Sequence, residues 1–352
     1  MQKLLILDGI GGVPLGREMA EAFTGHGIET THRDCAELPK ISCYGLRSGL
    51  AKLVNRSNQK DTYYHLPRLD ADYIKTLLDH EKPSHVLVIG FVYKFIQPKL
   101  LAEYCRAVGS KLFLYDTDSC NLYEKRREFI FFLEQELPIY QEIFSFSKVT
   151  THFFKHTKHF NASHFPFGAK PIVHTHTEDK KYDVLFVGSG DLRRIFLLEH
   201  INQFVHVFGN RWKRNYPLIS NALQQRIEDS ALWGVALHTH LQQAKIVLNI
   251  TRAPFYAAET GVNLRIFEAL AAGCFLLTDA CEEVEALFEV GVEIETYSNA
   301  TELKDKVNYY LEHAEKREAI AARGHEKLMA LYRWDVRVAQ LLPRMQLISL
   351  SL

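Results

Sequence analysis

Apolar residues fall in two alternating rhythms along this chain. Strand-length apolar runs stand at residues 3–7, 85–90, 111–115, 143–147, 182–188, 205–209, 246–250 and 274–278, with more polar strands expected at 29–33 and 292–297. Runs this short and this apolar read as strands covered on both faces. Between them lie stretches with helical spacing, at 17–25, 71–80, 97–108, 122–137, 191–204, 237–244, 302–312 and 315–331. The clearest is 264–272, where Leu264, Phe267 and Leu270 recur at i, i+3, i+6. Asn263 before it is an N-cap type and Gly273 after it is a C-terminal stop. Residues 38–70 lack a regular pattern and carry tyrosines and several basic residues. Strand, glycine turn and helix occur together twice, at 3–25 and at 182–204, and each set is the opening unit of a Rossmann-like domain. The fold class is therefore α/β, with two such domains. The polar stretch 169–181 reads as the linker between them.

The bulk numbers narrow the function. The chain has 352 residues, 47% hydrophobic and 24% charged, which suits two soluble domains with separate cores. Formal net charge is zero. No long-range field draws in nucleic acid or an anionic membrane, which leaves only a local basic cluster. The six cysteines include no C-x-x-C pair and read as reduced residues of a cytoplasmic protein. The opening apolar run is too short for a secretory signal, and no run reaches the roughly 20 residues of a transmembrane segment. The histidines include an i, i+4 pair, His152 and His156, but no H-E-x-x-H zinc pattern. They are expected to be scattered surface or core imidazoles.

The candidate chemistry gathers at strand ends and helix starts, where unpaired amides and the helix dipole favour phosphate. Around the 264–272 helix these are Gly261, Asn263, Arg265 and Glu268. Arg265 suits bidentate phosphate binding, and Glu268, a turn deeper, suits the vicinal hydroxyls of a ribose. The plain alternative is an Arg265–Glu268 surface pair at i, i+3. Gly188, Ser189 and Arg193, with Arg194 as alternative, repeat the strand–turn–helix geometry. Asn249 and Arg252 flank the 246–250 strand, and Arg252 stands where open α/β sheets bind ligands; Lys245, at the other end, reads as solvated. The first loop, with Gly11 and Gly12, lacks the G-x-G-x-x-G spacing of a dinucleotide site. Asp116 and Asp118 form a D-x-D after a strand and read as ligand-facing residues; two carboxylates so spaced could also hold a metal. Trp212 either packs on a base or anchors a loop.

The pattern G-x-N-x-R-x-F-E-A-L-A-A-G-x-F-L-L-T-D, from Gly261 to Asp279, resembles the nucleotide-sugar signature of group 1 glycosyltransferases with the GT-B fold. It is most similar to their CgeB-like, spore-maturation branch. Residues 182–190 and 245–252 match the same family in the same order. The resemblance implies an acceptor-side domain at 1–168, the linker at 169–181, a donor-side domain at 182–333, and a C-terminal helix at 334–352 that crosses back. The two domains would face across a cleft. It implies transfer of a sugar from a nucleotide-diphosphate sugar to a hydroxyl acceptor, with retention and without metal or other cofactor. The acceptor is unknown; neither nucleic acid nor a transmembrane segment is expected. Arg252 and Arg265 would serve the leaving diphosphate, Gly11 and Gly12 would face acceptor and phosphates, and Asp116 and Asp118 would touch acceptor or sugar. One departure is that Thr260 stands where many relatives carry the first glutamate of an E-x7-E pair. A non-catalytic nucleotide- or sugar-binding module and a sugar-nucleotide epimerase are the alternatives on the same fold.

Overall fold

In the computed structural model the chain divides into two compact units, Met1–Pro166 with Val338–Leu352, and Phe167–Arg337. Residues 2–54, 63–172 and 180–348 are described. Most of the expected linker, 173–179 with His174 and His176, and the last residues, 349–352, lie outside them.

The first unit holds β1 (Lys3–Asp8), β2 (Glu29–Asp34), β3 (His85–Ile89), β4 (Lys111–Asp116), β5 (Glu142–Ser145) and β6 (Ala162–His164). All pair in parallel, in the order β2-β1-β3-β4-β5-β6. Parallel strands need helical crossovers, and the helices Leu15–Gly25, Ala71–Glu81 and Pro98–Ala107 supply them. Asp70 caps the second through Asp72 N at 3.0 Å, and Pro98 opens the third. Leu5, Leu7, Val86, Val88, Leu112 and Leu114 form the floor of one core, closed by Phe132 and Phe154. The order reverses between β1 and β3, and Gly11 and Gly12 lie just past β1 with φ of 67° and 74°. Those left-handed angles are why glycine stands there.

The second unit holds β7 (Tyr182–Val187), β8 (Val205–Phe208), β9 (Ile227–Glu228), β10 (Ala244–Leu248), β11 (Leu276–Asp279) and β12 (Glu295–Tyr297). The order is β12-β11-β10-β7-β8-β9, again all parallel, which is the doubly wound Rossmann arrangement. Its core gathers Val184, Phe186, Val207, Ile246, Leu248 and Leu277 under Ile195, Leu198 and Leu303.

Two stretches differ from expectation. Residues 122–137 are not one helix: a helix at Arg126–Phe131 widens into a π turn at Phe132–Glu136. The wide turn leaves Glu136 Oε1 and Oε2 accepting from Val92 N and Tyr93 N, both at 2.8 Å. A helix also forms at Tyr44–Val54, inside the stretch that lacked a pattern. The last helix is Trp334–Met345, shorter than expected, and Arg344 in its last turn is paired with Glu142 of the same unit. No helix among the described residues is long and apolar enough to cross a membrane.

Candidate functional site

In the second unit the strand order reverses between β7 and β10, the place where open α/β sheets bind ligands at the carboxyl ends of their strands. β7 runs into Gly188-Ser189-Gly190, and β10 into Asn249-Ile250-Thr251-Arg252. A cavity of about 260 Å³ lies here, lined by Gly188, Ser189, Arg252 and Arg265 together with Gly209, Asn210, Arg211, Ala231, Leu232 and Trp233. Three guanidinium groups line it and no carboxylate does. That charge balance suits an anion. Gly209 must be glycine: its φ is 150°, and a Cβ there would stand 2.0 Å from Gly188 O.

Behind this lining is a layer of fixed polar contacts. Asn263 caps the helix Leu264–Ala271 by accepting from Arg265 N at 3.1 Å, and Asp191 caps Leu192–Glu199 by accepting from Arg194 N at 3.0 Å. Arg194 is a buttress: Nε and Nη2 donate to Ile250 O at 3.0 and 2.8 Å, and Nη1 to Ser189 O at 2.8 Å. Burial pushes its guanidinium down to about 10. Arg193 donates to Thr251 O at 2.8 Å, pairs with Asp279 at 2.5 Å, and lies 3.8 Å over the Tyr256 ring. Asn249 is buried and bonded on both sides, to Thr278 and Asn263. Gly261 is buried, and a Cβ there would stand 2.7 Å from Cys281 Cβ, so the close approach requires glycine. Glu259, two residues earlier, holds a left-handed φ of 57°, a strained value for a non-glycine.

The Arg265–Glu268 pair is a buried ion pair at 2.7 Å, with side chains 13% and 9% exposed, rather than a surface one. Burial raises the Glu268 carboxyl and the Arg265 charge opposes that rise. Burial and the same Arg265 charge push the neighbouring His238 imidazole down, towards the neutral form. Two polar atoms here are buried without a hydrogen-bond partner among the described residues: Arg265 Nε and Thr251 Oγ1. Buried groups in that condition call for an explanation, and a bound ligand is one.

The first unit corrects the reading of the D-x-D. Asp116 has no exposed surface. Its carboxylate accepts from Ser119 N at 3.0 Å, Ser119 Oγ at 2.8 Å and Ser145 Oγ at 2.7 Å. Burial raises its carboxyl and those donors oppose the shift. Asp116 is a structural cap, not a ligand-facing residue. Asp118 is partly exposed and accepts from Asn121 Nδ2 at 2.5 Å. Among the described residues no group of three His, Cys, Asp or Glu could hold a metal ion. His152 and His156 stack on each other with centroids 4.6 Å apart. Lys245 pairs with Asp183 at 2.6 Å, away from the cavity lining. Trp212 is fully buried and donates Nε1–H to Gly188 O at 2.9 Å, so it anchors the loop. The aromatic that lines the cavity is Trp233, 45% exposed. Asn210, Arg211 and Trp233 lie in loops after β8 and β9. Gly209, directly after β8, is a local signal for Asn210 and Arg211 that the sequence reading did not use; Trp233 has none.

Comparison with known proteins follows the same line. Residues 193–343 match the family described as glycosyl transferase-like. A glycosyltransferase from Rickettsia africae ESF-5 shares 11% identity over 98% of both chains, with a TM-score of 0.63. Sucrose-phosphate synthase from Thermosynechococcus elongatus shares 12% over 98% of both, with a TM-score of 0.67. HepE from Anabaena, solved in complex with UDP-glucose, shares 12% over 98% of this chain and 100% of its own, with a TM-score of 0.65. None of the curated proteins is similar to the chain in sequence. The fold, with its two parallel six-stranded sheets, is that of the GT-B glycosyltransferases. Within it, residues 193–343 carry the glycosyl transferase-like pattern, and they include Arg252, Arg265 and Trp233 of the cavity.

Proposed function

We propose that this protein is a glycosyltransferase moving a hexose from a nucleoside-diphosphate sugar to a hydroxyl acceptor, with retention and without a metal, in the CgeB-like branch. The observation that carries the reading is the cavity at the β7/β10 switch point. It is lined by Arg252, Arg265 and Arg211, and Arg265 Nε and the Oγ1 of Thr251, the residue before Arg252, are buried without a hydrogen-bond partner among the described residues. The donor class is UDP-sugar, by analogy with HepE, which binds UDP and UDP-glucose.

The chemical demand of such a transfer is to stabilise charge on the departing diphosphate. In this reading Arg252 and Arg265 supply fixed donors, each worth about 3 kcal/mol in the transition state. The starts of Leu192–Glu199 and Leu264–Ala271 add amide hydrogens and dipole. Glu268 takes the ribose hydroxyls, whose donation offsets the cost of its buried charge. Trp233 offers a face to the base. Arg193, Arg194, Asn249 and Gly261 act behind the site, holding the loops. Gly11, Gly12 and Asp118 remain candidates on the acceptor side.

Incubation with a panel of UDP-sugars and simple glycoside acceptors, followed by UDP release and product analysis, tests the proposal. Sugar transfer that falls about a hundredfold or more in Arg252→Ala and in Arg265→Ala is expected. UDP binding with no turnover on any donor would mean a binding module. An isomerised sugar would mean an epimerase. UDP affinity untouched by both substitutions would place the nucleotide elsewhere.

A further inference from the structure

The helix Tyr44–Val54 is turned inside out. At 100° per residue Leu46, Leu50, Leu53 and Val54 fall on one stripe, the face an amphipathic helix ordinarily buries. Here they are 74%, 62%, 67% and 81% exposed. The half-buried face is Tyr44, Ser48 and Ala51 instead, and Tyr44 OH donates to Leu66 O at 3.2 Å. No other helix among the described residues exposes four large apolar side chains. A contiguous exposed apolar stripe of this kind marks an interaction surface.

The sequence around it says what covers it. Residues 38–54 contain Lys40, Arg47 and Lys52 and no acidic residue, in a chain whose formal net charge is zero. A leucine stripe within a basic, acid-free segment matches an anionic lipid surface, with leucines at the acyl boundary and cations among the headgroups. A second copy docked through the same stripe would be isologous and would bring two basic segments together. We propose that Tyr44–Val54 is an interfacial helix that docks the first unit on an anionic membrane surface. The proposal is independent of the sugar-transfer reading.

Co-sedimentation of the full chain with vesicles of phosphatidylcholine alone, and of phosphatidylcholine with phosphatidylglycerol, tests it. Binding is expected to the anionic vesicles, weakening with salt. The double substitution Leu50→Glu with Leu53→Glu is expected to weaken it by about tenfold or more. A milder variant, Leu50→Trp, is expected to show blue-shifted indole emission on adding anionic vesicles. Absence of vesicle binding at low salt, equal binding by the double variant, or an unshifted indole overturns the proposal. So does concentration-dependent dimerisation that the double variant abolishes, since a second copy would then cover the stripe.

Discussion

Asn263 Nδ2 donates to Asn249 Oδ1 at 3.1 Å, so two side chains that read in sequence as ligand contacts are each other's partners. Asn249 Nδ2 goes on to Thr278 Oγ1 at 2.8 Å, and Asn263 Oδ1 accepts from Arg265 N at 3.1 Å. This chain of bonds ties the end of β10 to β11 and to the helix that carries Arg265. Its role is to fix where Arg265 stands.

Asn249→Ala is therefore expected to act on stability first. It leaves Asn263 Nδ2 and Thr278 Oγ1 without these partners in a buried setting, at about 1–3 kcal/mol per stranded group. Asn263→Asp keeps the cap but sets a carboxylate against Asn249 Oδ1, so it is also expected to destabilise. Urea unfolding checks both. An Asn249→Ala protein as stable as the parent, with nucleotide binding alone impaired, would return Asn249 to the ligand.

Asp279 makes a similar hidden joint. It is 1% exposed and accepts from Thr251 N and from Arg193, each at 2.5 Å. Asp279→Ala strands the Arg193 guanidinium against Thr251 O and Tyr256, and breaking a buried pair from one side costs about 3–5 kcal/mol. Arg193→Lys keeps the charge but loses the forked donation and the stacking, so a smaller loss is expected. The comparison is read by thermal unfolding; no loss in Arg193→Lys would show that charge alone matters, and equal losses that the fork and the stacking carry the joint.

The sequence showed the places where strands end but not which way their polar side chains turn. β7, β10 and the 264–271 helix were legible because buried strands and an i, i+3 stripe leave a local periodic mark. Arg252 and Arg265, which line the cavity, follow such marks directly. Arg193 and Asn249 follow them too, yet both turn to partners 86 and 14 residues away along the chain, Asp279 and Asn263. No local spacing encodes those partners. Asp116 misled for the same reason, since Ser145, on β5, closes around it. Trp233 and Trp212 are alike in sequence, and only packing separates the loop anchor from the cavity lining. The Tyr44–Val54 helix was missed because Gly45 and Gly49 lower its helix propensity and its apolar stripe faces away from the core.

Gly209→Ala is expected to damage the cavity without touching any charged group. The added Cβ would lie 2.0 Å from Gly188 O, so the two loops must part. A loss of about 1–3 kcal/mol in stability, with weaker UDP binding, is the expected result. Gly12→Ala is the control: φ is 74° and no atom lies within 4 Å of the new Cβ, leaving only about 1–2 kcal/mol of left-handed strain. Trp233→Ala, at a half-exposed lining position, should weaken UDP binding while leaving the melting temperature nearly unchanged. Calorimetric titration alongside melting curves separates the three cases.

Glu136 gives a pH dependence whose sign can be derived. Its carboxyl has no exposed surface and accepts from Val92 N, Tyr93 N and, at 2.9 Å, Tyr140 OH. Burial raises it to about 7 despite those donors, against an ordinary value of 4.5. Between these values the folded chain holds a proton that the unfolded chain has released. Stability from this group is therefore full below about pH 4.5 and falls as pH rises to about 7, by roughly 3 kcal/mol in all. Other groups add to the pH dependence: burial also raises Asp116 and Glu268, whereas it lowers His65, His85, His206 and His238, which has the opposite effect. The comparison that isolates Glu136 is with Glu136→Gln, an isostere of the protonated acid. The variant sets its NH2 against the Val92 or Tyr93 N–H, so it is expected to lie below the parent in stability at pH 5 and to gain on it by about 3 kcal/mol by pH 8. Urea unfolding of both proteins across that range measures the gap, and a constant gap would mean that Glu136 stays ionised in the folded protein throughout.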